Sequence, residues 1–110
     1  MTNLNRLKME LNNRNYMPDE QYIQFLYENN LDESEEYNKE TDQRALLLTV
    51  LDVLQAVSND TDLMRSITSE FVTESAAARY ISQRIEAVKE RITALSYEID
   101  ENPFSLMFTR

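Results

Sequence analysis

The sequence predicts an all-α protein: a bundle of four to five helices with a long C-terminal heptad helix and an extended C-terminal tail. Three observations lead to this prediction. The 110-residue chain contains no glycine, so it lacks the residue that most readily makes left-handed turns. Its apolar residues recur at helical spacing through most of the chain. One of these patterns, near the C-terminus, is sustained long enough to be a heptad seam.

Two short helices are predicted in the first thirty residues. Thr2 or Asn3 can cap the first helix, and its apolar stripe ends before a polar loop at 12–15. Pro18 and the acidic residues after it mark the start of the second helix, and Asn29-Asn30 marks its end. The stripe of the first helix is Leu4, Leu7 and Leu11, and the face of the second is Ile23, Leu26 and Tyr27, with Tyr22 and Phe25 beside it.

The third helix is the most apolar, and it follows an acidic loop at 31–38 whose like charges prefer solvent. Apolar side chains cover most of its circumference, which places it at the centre of the bundle. Ser58-Asn59-Asp60 ends it. One stripe is Leu46, Val50, Val53 and Val57, a second is Leu47, Leu51 and Leu54, and the narrow polar or small strip is Ala45, Thr49, Asp52 and Ala56.

A brief fourth helix, 62–67, is predicted after a cap at Thr61, and a long fifth helix after a cap at Thr73 or Ser75. Between them, 68–74 is rich in Thr and Val and predicts an extended arm or a short strand. The fifth helix either packs on the third helix or shares part of its seam with a neighbouring subunit. Its seam is Ala78, Ile81, Ile85, Val88, Ile92, Leu95 and Ile99.

Pro103 ends this pattern, and an apolar tail follows at 104–110. The length predicts one domain, 1–103, with the tail as an interaction segment. Either the tail folds back onto its own core or it docks on a partner. The predicted contact residues for a partner are Phe71 and Val72 in the arm, and Phe104, Leu106, Met107 and Phe108 in the tail.

The charge and the missing residue types argue against most chemistry. Twenty acidic and eleven basic residues give a net charge of −9, which disfavours a nucleic-acid binder and an anionic membrane partner. The acidity serves either solubility or the repulsion or imitation of nucleic acid. The chain contains neither histidine nor cysteine, so it lacks the commonest general base and the thiolate ligands of structural zinc. We therefore expect no enzyme activity, metal or cofactor. The absence of cysteine fits the cytosol. No apolar run has the length of a membrane span or of a signal peptide, so neither is expected.

Two other classes of protein remain open. Glu33 and Glu36, and likewise Glu98 and Glu101, have the E-x-x-E spacing of all-helical magnesium-dependent nucleotide hydrolases. The first pair lies in the acidic loop and the second at a helix end, so neither is expected to form a preorganised oxygen cage. A small acidic inhibitor that mimics DNA is the second alternative, with the loop 32–36 as part of its charge array.

The second half of the chain resembles head–tail connector proteins of tailed phages that infect low-GC Gram-positive bacteria, also called adaptor or head-completion proteins. The resemblance lies in the apolar segment 44–60 (RALLLTVLDVLQAVSND), the Leu63-Met64 pair, the Thr/Val connector and the segment 78–85 (ARYISQRI) that opens the heptad helix. The link 31–38 (LDESEEYN) before the apolar helix also matches, so the likeness extends over about 19–95. The chain departs from many members because its connector lacks glycine, which does not favour a tight hairpin there.

This resemblance implies a helical subunit of a virion, located at the head–tail junction and made in the bacterial cytoplasm. Such subunits form a ring of about twelve copies on the portal protein, with heterologous contacts between copies. A tail or stopper protein follows the ring, and DNA passes through its centre without specific binding. The tail and the connector would reach the portal or neighbouring subunits.

Overall fold

The computed structural model describes residues 1–68 and 73–100, with the side chains of 61, 66–68, 74 and 96–100 left aside. Within these residues the chain forms five α-helices and no strand, which confirms the predicted all-α class. The helices are α1 (Asn3–Glu10), α2 (Asp19–Glu28), α3 (Lys39–Asn59), α4 (Thr61–Thr68) and α5 (Glu74–Asp100). No helix in this part of the chain has both the length and the apolar character needed to cross a bilayer.

Helix starts follow from side-chain caps. A side-chain oxygen accepts a hydrogen bond from a first-turn N–H at four of the five helices, which satisfies one of the donors that a helix start leaves open. The structure places the cap of α4 at Asp60 and not at the predicted Thr61: Asp60 Oδ1 accepts from Asp62 N at 3.0 Å and from Leu63 N at 3.1 Å. The caps of the other three helices are Thr2 for α1, Asn38 for α3 and Thr73 for α5.

Asparagine takes the left-handed backbone positions in this glycine-free chain. Among the described residues, positive φ occurs at Asn12 (60°), Asn13 (57°) and Asn30 (64°). Asparagine tolerates this region better than other residues with a Cβ, because its short amide can hydrogen-bond locally. The first two residues end α1 and the third ends α2, so these turns need no glycine.

Helix α3 lies at the centre of the bundle and contacts all four other helices. Its predicted stripe, Leu46, Val50, Val53 and Val57, is fully buried. Burial of each such side chain contributes about 1.5–3 kcal/mol. Thr49, on the predicted polar strip, is also fully buried; its hydroxyl donates to Ala45 O at 2.8 Å, which satisfies the polar group.

Helix α5 packs mainly on α3 and also on α4. Its buried positions include Ile81 and Val88, as predicted. The prediction was wrong at the start of the seam: Ala77 is fully buried and Ala78 is exposed. Both alanines lie one turn before Ile81 and can share its face. Because they are the same residue type, the sequence does not indicate which of them is buried.

Helix α2 buries Tyr22 and Leu26, which are four residues apart. The hydroxyl of Tyr22 accepts a hydrogen bond from Tyr16 N at 3.0 Å and donates to Arg14 O at 3.1 Å, so it fixes the loop between α1 and α2. Tyr27, predicted on the apolar face, is 75% exposed. One residue beyond Leu26, it is rotated by about 100° around the helix and leaves the core.

Candidate functional site

The negative charge of the chain is concentrated in one segment. Residues 19–42 contain nine acidic residues and one basic residue, a net charge of −8, whereas the other 86 residues contain eleven acidic and ten basic residues, a net charge of −1. The segment comprises α2, the loop to α3 and the first turn of α3. We call it the acidic face; its acidic residues are Asp19, Glu20, Glu28, Asp32, Glu33, Glu35, Glu36, Glu40 and Asp42.

The N-terminus of α1 fixes the loop of this acidic face. Asn3 N donates to Glu35 O at 2.8 Å, and Leu4 N donates to Glu33 O at 3.3 Å. The side chain of Asn3, only 1% exposed, donates through Nδ2 to Asp32 O at 2.8 Å. The first N–H groups of α1, which have no partner within the helix, thus donate to carbonyl groups of the loop. These hydrogen bonds fix the backbone of the acidic loop.

A polar clamp also fixes the C-terminal end of α2. Asn29 Nδ2 donates to Phe25 O and to Asp52 Oδ2 of α3, both at 3.0 Å. The next residue, Asn30, reverses the chain at φ 64°. This places Leu31 in the core, where it is 6% exposed, while Tyr27 stays outside.

An open groove of about 370 Å³ lies at this corner of the molecule; it is lined by Tyr27, Asn30, Leu31, Asp32 and Glu33. Its size is within the range of small-ligand or side-chain pockets. Ser34 donates two hydrogen bonds to the carboxyl group of Asp32, one from its hydroxyl and one from its backbone N–H. Both lower the pKa of Asp32, and the hydroxyl has the larger effect. An aromatic ring beside two carboxyl groups is an arrangement that binds a cation. We call this feature the Tyr27 groove.

A second polar cluster joins α1 to α5. Glu10 accepts from Arg6 Nη1 at 2.8 Å and from Arg91 Nη1, and its backbone carbonyl accepts from Arg84 Nη2 at 2.8 Å. Burial raises the pKa of Glu10, but the hydrogen bonds from Arg91 and Arg6 outweigh it and lower this pKa. Arg6 also lies over the ring of Tyr37, 5.2 Å from its centre. The cluster joins α1 to α5.

The predicted partner contacts fall outside the described residues. This applies to Phe71 and Val72 in the arm, and to Phe104, Leu106, Met107 and Phe108 in the tail. Their assignment as contacts stays a prediction.

The carboxylate pairs have separate places. Glu33 lines the Tyr27 groove, and Glu36 forms an isolated antiparallel bridge with Thr2. Glu101 and the side chain of Glu98 lie outside the described part. Among the residues that are described, no three acidic side chains come close enough to hold a metal ion.

The sequence contained a signal for the acidic face but none for the groove. The density of acidic residues between 19 and 42 can be read directly from the chain. The groove depends on the outward rotation of Tyr27 and on the contact of Asn3 with the loop, which joins residues 29 positions apart.

No protein-family model, curated protein or solved structure matches this chain.

Proposed function

We propose that this chain is a structural virion protein: a head–tail connector that assembles as a ring of about twelve copies on the portal and continues the DNA channel toward the tail. Segregation of charge along a helical subunit carries the proposal. The acidic face has a net charge of −8, and the rest of the chain, with ten of the eleven basic residues, has a net charge of −1.

Such segregation favours contacts between two different surfaces of neighbouring copies. An isologous contact through the acidic face would place like charges against each other and would be repulsive. A heterologous contact places this face against a near-neutral or basic surface of the next copy. Heterologous contacts close into rings when the rotation between copies allows it.

The net charge also suits a protein through which DNA moves. Phosphate contacts dominate the affinity of proteins for DNA, so a surface without excess basic charge does not retain it. A charge of −9 per copy, repeated around a ring, repels the phosphates. The proposal includes no catalysis and no cofactor.

The adhesive parts of the proposed ring are two apolar segments. Phe104, Leu106, Met107 and Phe108 bind the portal or a neighbouring subunit, and Phe71 and Val72 form a second contact. Burial of these apolar side chains against a partner is favourable.

Deletion of residues 104–110 tests the proposal. We expect the truncated protein to keep the helical circular dichroism of the full chain and to lose its co-purification with portal-containing particles. A full-length variant with Thr109→Ala keeps the apolar residues of the tail and should remain attached. Attachment of the truncated protein to these particles would show that the tail is not the contact, and absence of the full chain from the head–tail junction of imaged virions would overturn the proposed function.

The acidic face also supports a second candidate, a small inhibitor that mimics DNA. Its carboxylates would then compete with phosphates for a basic protein surface. Competition with DNA for binding to phage-host nucleases distinguishes the two functions. Loss of the competition on substitution of Glu35→Gln and Glu36→Gln together would favour the inhibitor, whereas no competition by the native chain would eliminate it.

A further inference from the structure

The exposed ring of Tyr27 is the starting observation. Tyr27 is the most exposed of the large apolar or aromatic side chains in the described residues, at 75%, and it forms one wall of the Tyr27 groove. Its side chain makes no hydrogen bond or ring contact with any other described residue. Tyrosine is enriched at the centres of protein interfaces, because it supplies a rigid apolar ring with a polar end.

The other walls of the groove determine what it can bind. The carboxyl group of Glu33 forms no ion pair within the described part of the chain, and Asp32 uses one oxygen, Oδ1, for its hydrogen bonds from Ser34. A guanidinium group is planar, stacks on aromatic rings and pairs with carboxylates. An arginine side chain therefore satisfies both the ring and the two carboxyl groups.

The chain itself supplies a suitable arginine. Most of its described basic side chains already have partners: Arg6, Arg84 and Arg91 bind Glu10, Lys8 binds Asp19, Arg65 pairs with Asp62, Lys89 pairs with Glu86, and Arg14 lies over Tyr80. Arg79 is exposed on α5 and forms no ion pair with another described residue. Ala78 and Ser82 beside it are also exposed, and these small side chains permit close approach of another surface.

Within one copy, Arg79 forms no hydrogen bond or ion pair with the described residues that line the groove. Helix α2 packs on α1 and α3, whereas α5 packs on α3 and α4, and α2 has no contact with α5. The two features belong to different helices and are distinct surface sites, as the two halves of a heterologous contact must be.

We propose that the Tyr27 groove of one copy receives Arg79 of a second copy of this chain. The guanidinium group lies against the ring of Tyr27 and pairs with the carboxyl groups of Glu33 and Asp32. Repetition of the same contact links copies head to tail. This inference rests on the proposed function, because it names a contact between neighbouring copies of the ring.

The absence of native cysteine allows a direct test by disulfide formation. Two single-cysteine variants of the full chain, Gln24→Cys on the exposed side of α2 one turn before Tyr27 and Ala78→Cys beside Arg79, are mixed at high protein concentration and oxidised. We expect the mixed dimer to exceed either homodimer about tenfold, because the contact is heterologous. Gln55→Cys, on an exposed position of α3, replaces Ala78→Cys in the control mixture, which should show no such excess.

Charge reversal identifies the pair that makes the contact. Glu33→Arg is added to the variant that carries its cysteine on α2 near the groove, or Arg79→Glu to the variant that carries its cysteine beside Arg79. Each reversal alone should lower the yield of mixed dimer about tenfold. The two reversals together should restore it. Glu20→Arg changes the net charge equally at an exposed position on α2 outside the groove, and should leave the yield unchanged.

An excess no larger than that of the control mixture, or a double reversal that does not restore the yield, overturns the inference. These outcomes are separate from a failure of the proposed function. A mixed dimer from a protein that is absent from the head–tail junction leaves the contact standing and removes the connector function. A protein present at that junction without the mixed dimer keeps the function and removes this contact.

Discussion

Glu10 on α1 and Arg91 on α5 form an ion pair between residues 81 positions apart in the chain. The carboxylate side chain is 12% exposed and the arginine side chain 41%. Arg6 donates to the other carboxylate oxygen, Oε2, at 2.8 Å. One carboxylate thus joins the first helix to the last, and its loss would leave two arginines without their partner.

We predict that Glu10→Gln lowers the free energy of unfolding by about 2 kcal/mol. Loss of one partner from a fully buried pair costs about 3–5 kcal/mol, and the partial exposure of Arg91 reduces this value through solvent screening. Urea denaturation followed by circular dichroism measures the change. Glu86→Gln, at an exposed position on α5, is the matched control and should change stability by less than about 0.5 kcal/mol. Equal effects of the two substitutions would contradict the prediction.

The same ion pair predicts a pH dependence. The pKa of Glu10 is lower in the folded chain than its ordinary value of 4.5, so the unfolded chain binds the proton more readily. The contribution of the pair is therefore complete above the ordinary pKa and is lost as the pH falls through the lower, folded value. As the pH falls through and below the ordinary pKa of 4.5, the native chain should lose more stability than Glu10→Gln does. Parallel stability curves of the two proteins over this range would contradict the assignment.

We predict that Tyr22→Phe lowers the free energy of unfolding by about 1–2 kcal/mol, because it leaves Tyr16 N and Arg14 O without their partner in a buried site. Tyr27→Phe removes the same hydroxyl from an exposed position on the same helix and should have almost no effect on stability. Thermal or urea unfolding of the two variants makes the comparison. A larger loss of stability in Tyr27→Phe than in Tyr22→Phe would contradict the assignment of Tyr22 as the buried, hydrogen-bonded tyrosine.

Adjacent alanines test the register of α5. Ala77→Glu places a charge in the core and should cost about 4 kcal/mol or more, or prevent folding. Ala78→Glu places the same charge on the exposed side and should be tolerated within about 0.5 kcal/mol. If Ala78→Glu proved the more damaging substitution, the seam predicted through Ala78 would be correct and the observed register wrong.

The left-handed turn at Asn13 predicts a further contrast. Asn13→Ala places an ordinary Cβ at φ 57° and should lower the free energy of unfolding by about 1 kcal/mol. Asn13→Gly fits this conformation and should leave the free energy of unfolding nearly unchanged. Glycine adopts a left-handed φ without strain, which offsets the greater conformational entropy that it gives the unfolded chain. Equal losses in both variants would mean that the asparagine side chain, not the backbone, stabilises the turn.

Elements with strong local signals were predicted well. Pro18 with the acidic residues after it gave the start of α2, and Asn38 and Asn59 border the apolar run of α3 as expected. The errors lie where local signals were equal or absent. Ala77 and Ala78 lie in the same turn and have the same size. Tyr27 is apolar enough for the core, but Tyr22 and Leu26 occupy the buried side of α2.

The candidate site divides in the same way. The concentration of acidic residues in 19–42 can be counted in the sequence. The Tyr27 groove could not be predicted, because it requires Asn3 to hold Asp32 O and Asn29 to bind Asp52. These contacts join different helices and leave no periodic pattern.

The sequence by itself determined the helical class, the central position of α3 and the use of asparagine in turns, because helix propensity, capping and periodicity act over a few residues. Only the tertiary structure decided the Glu10 and Arg91 ion pair, the burial of Thr49 and the outward position of Tyr27. Helix packing decides which polar groups distant in sequence come close together. A buried polar group then forms its hydrogen bonds with the groups that this packing places beside it. The Tyr27 groove is therefore a property of the fold and not of any local pattern.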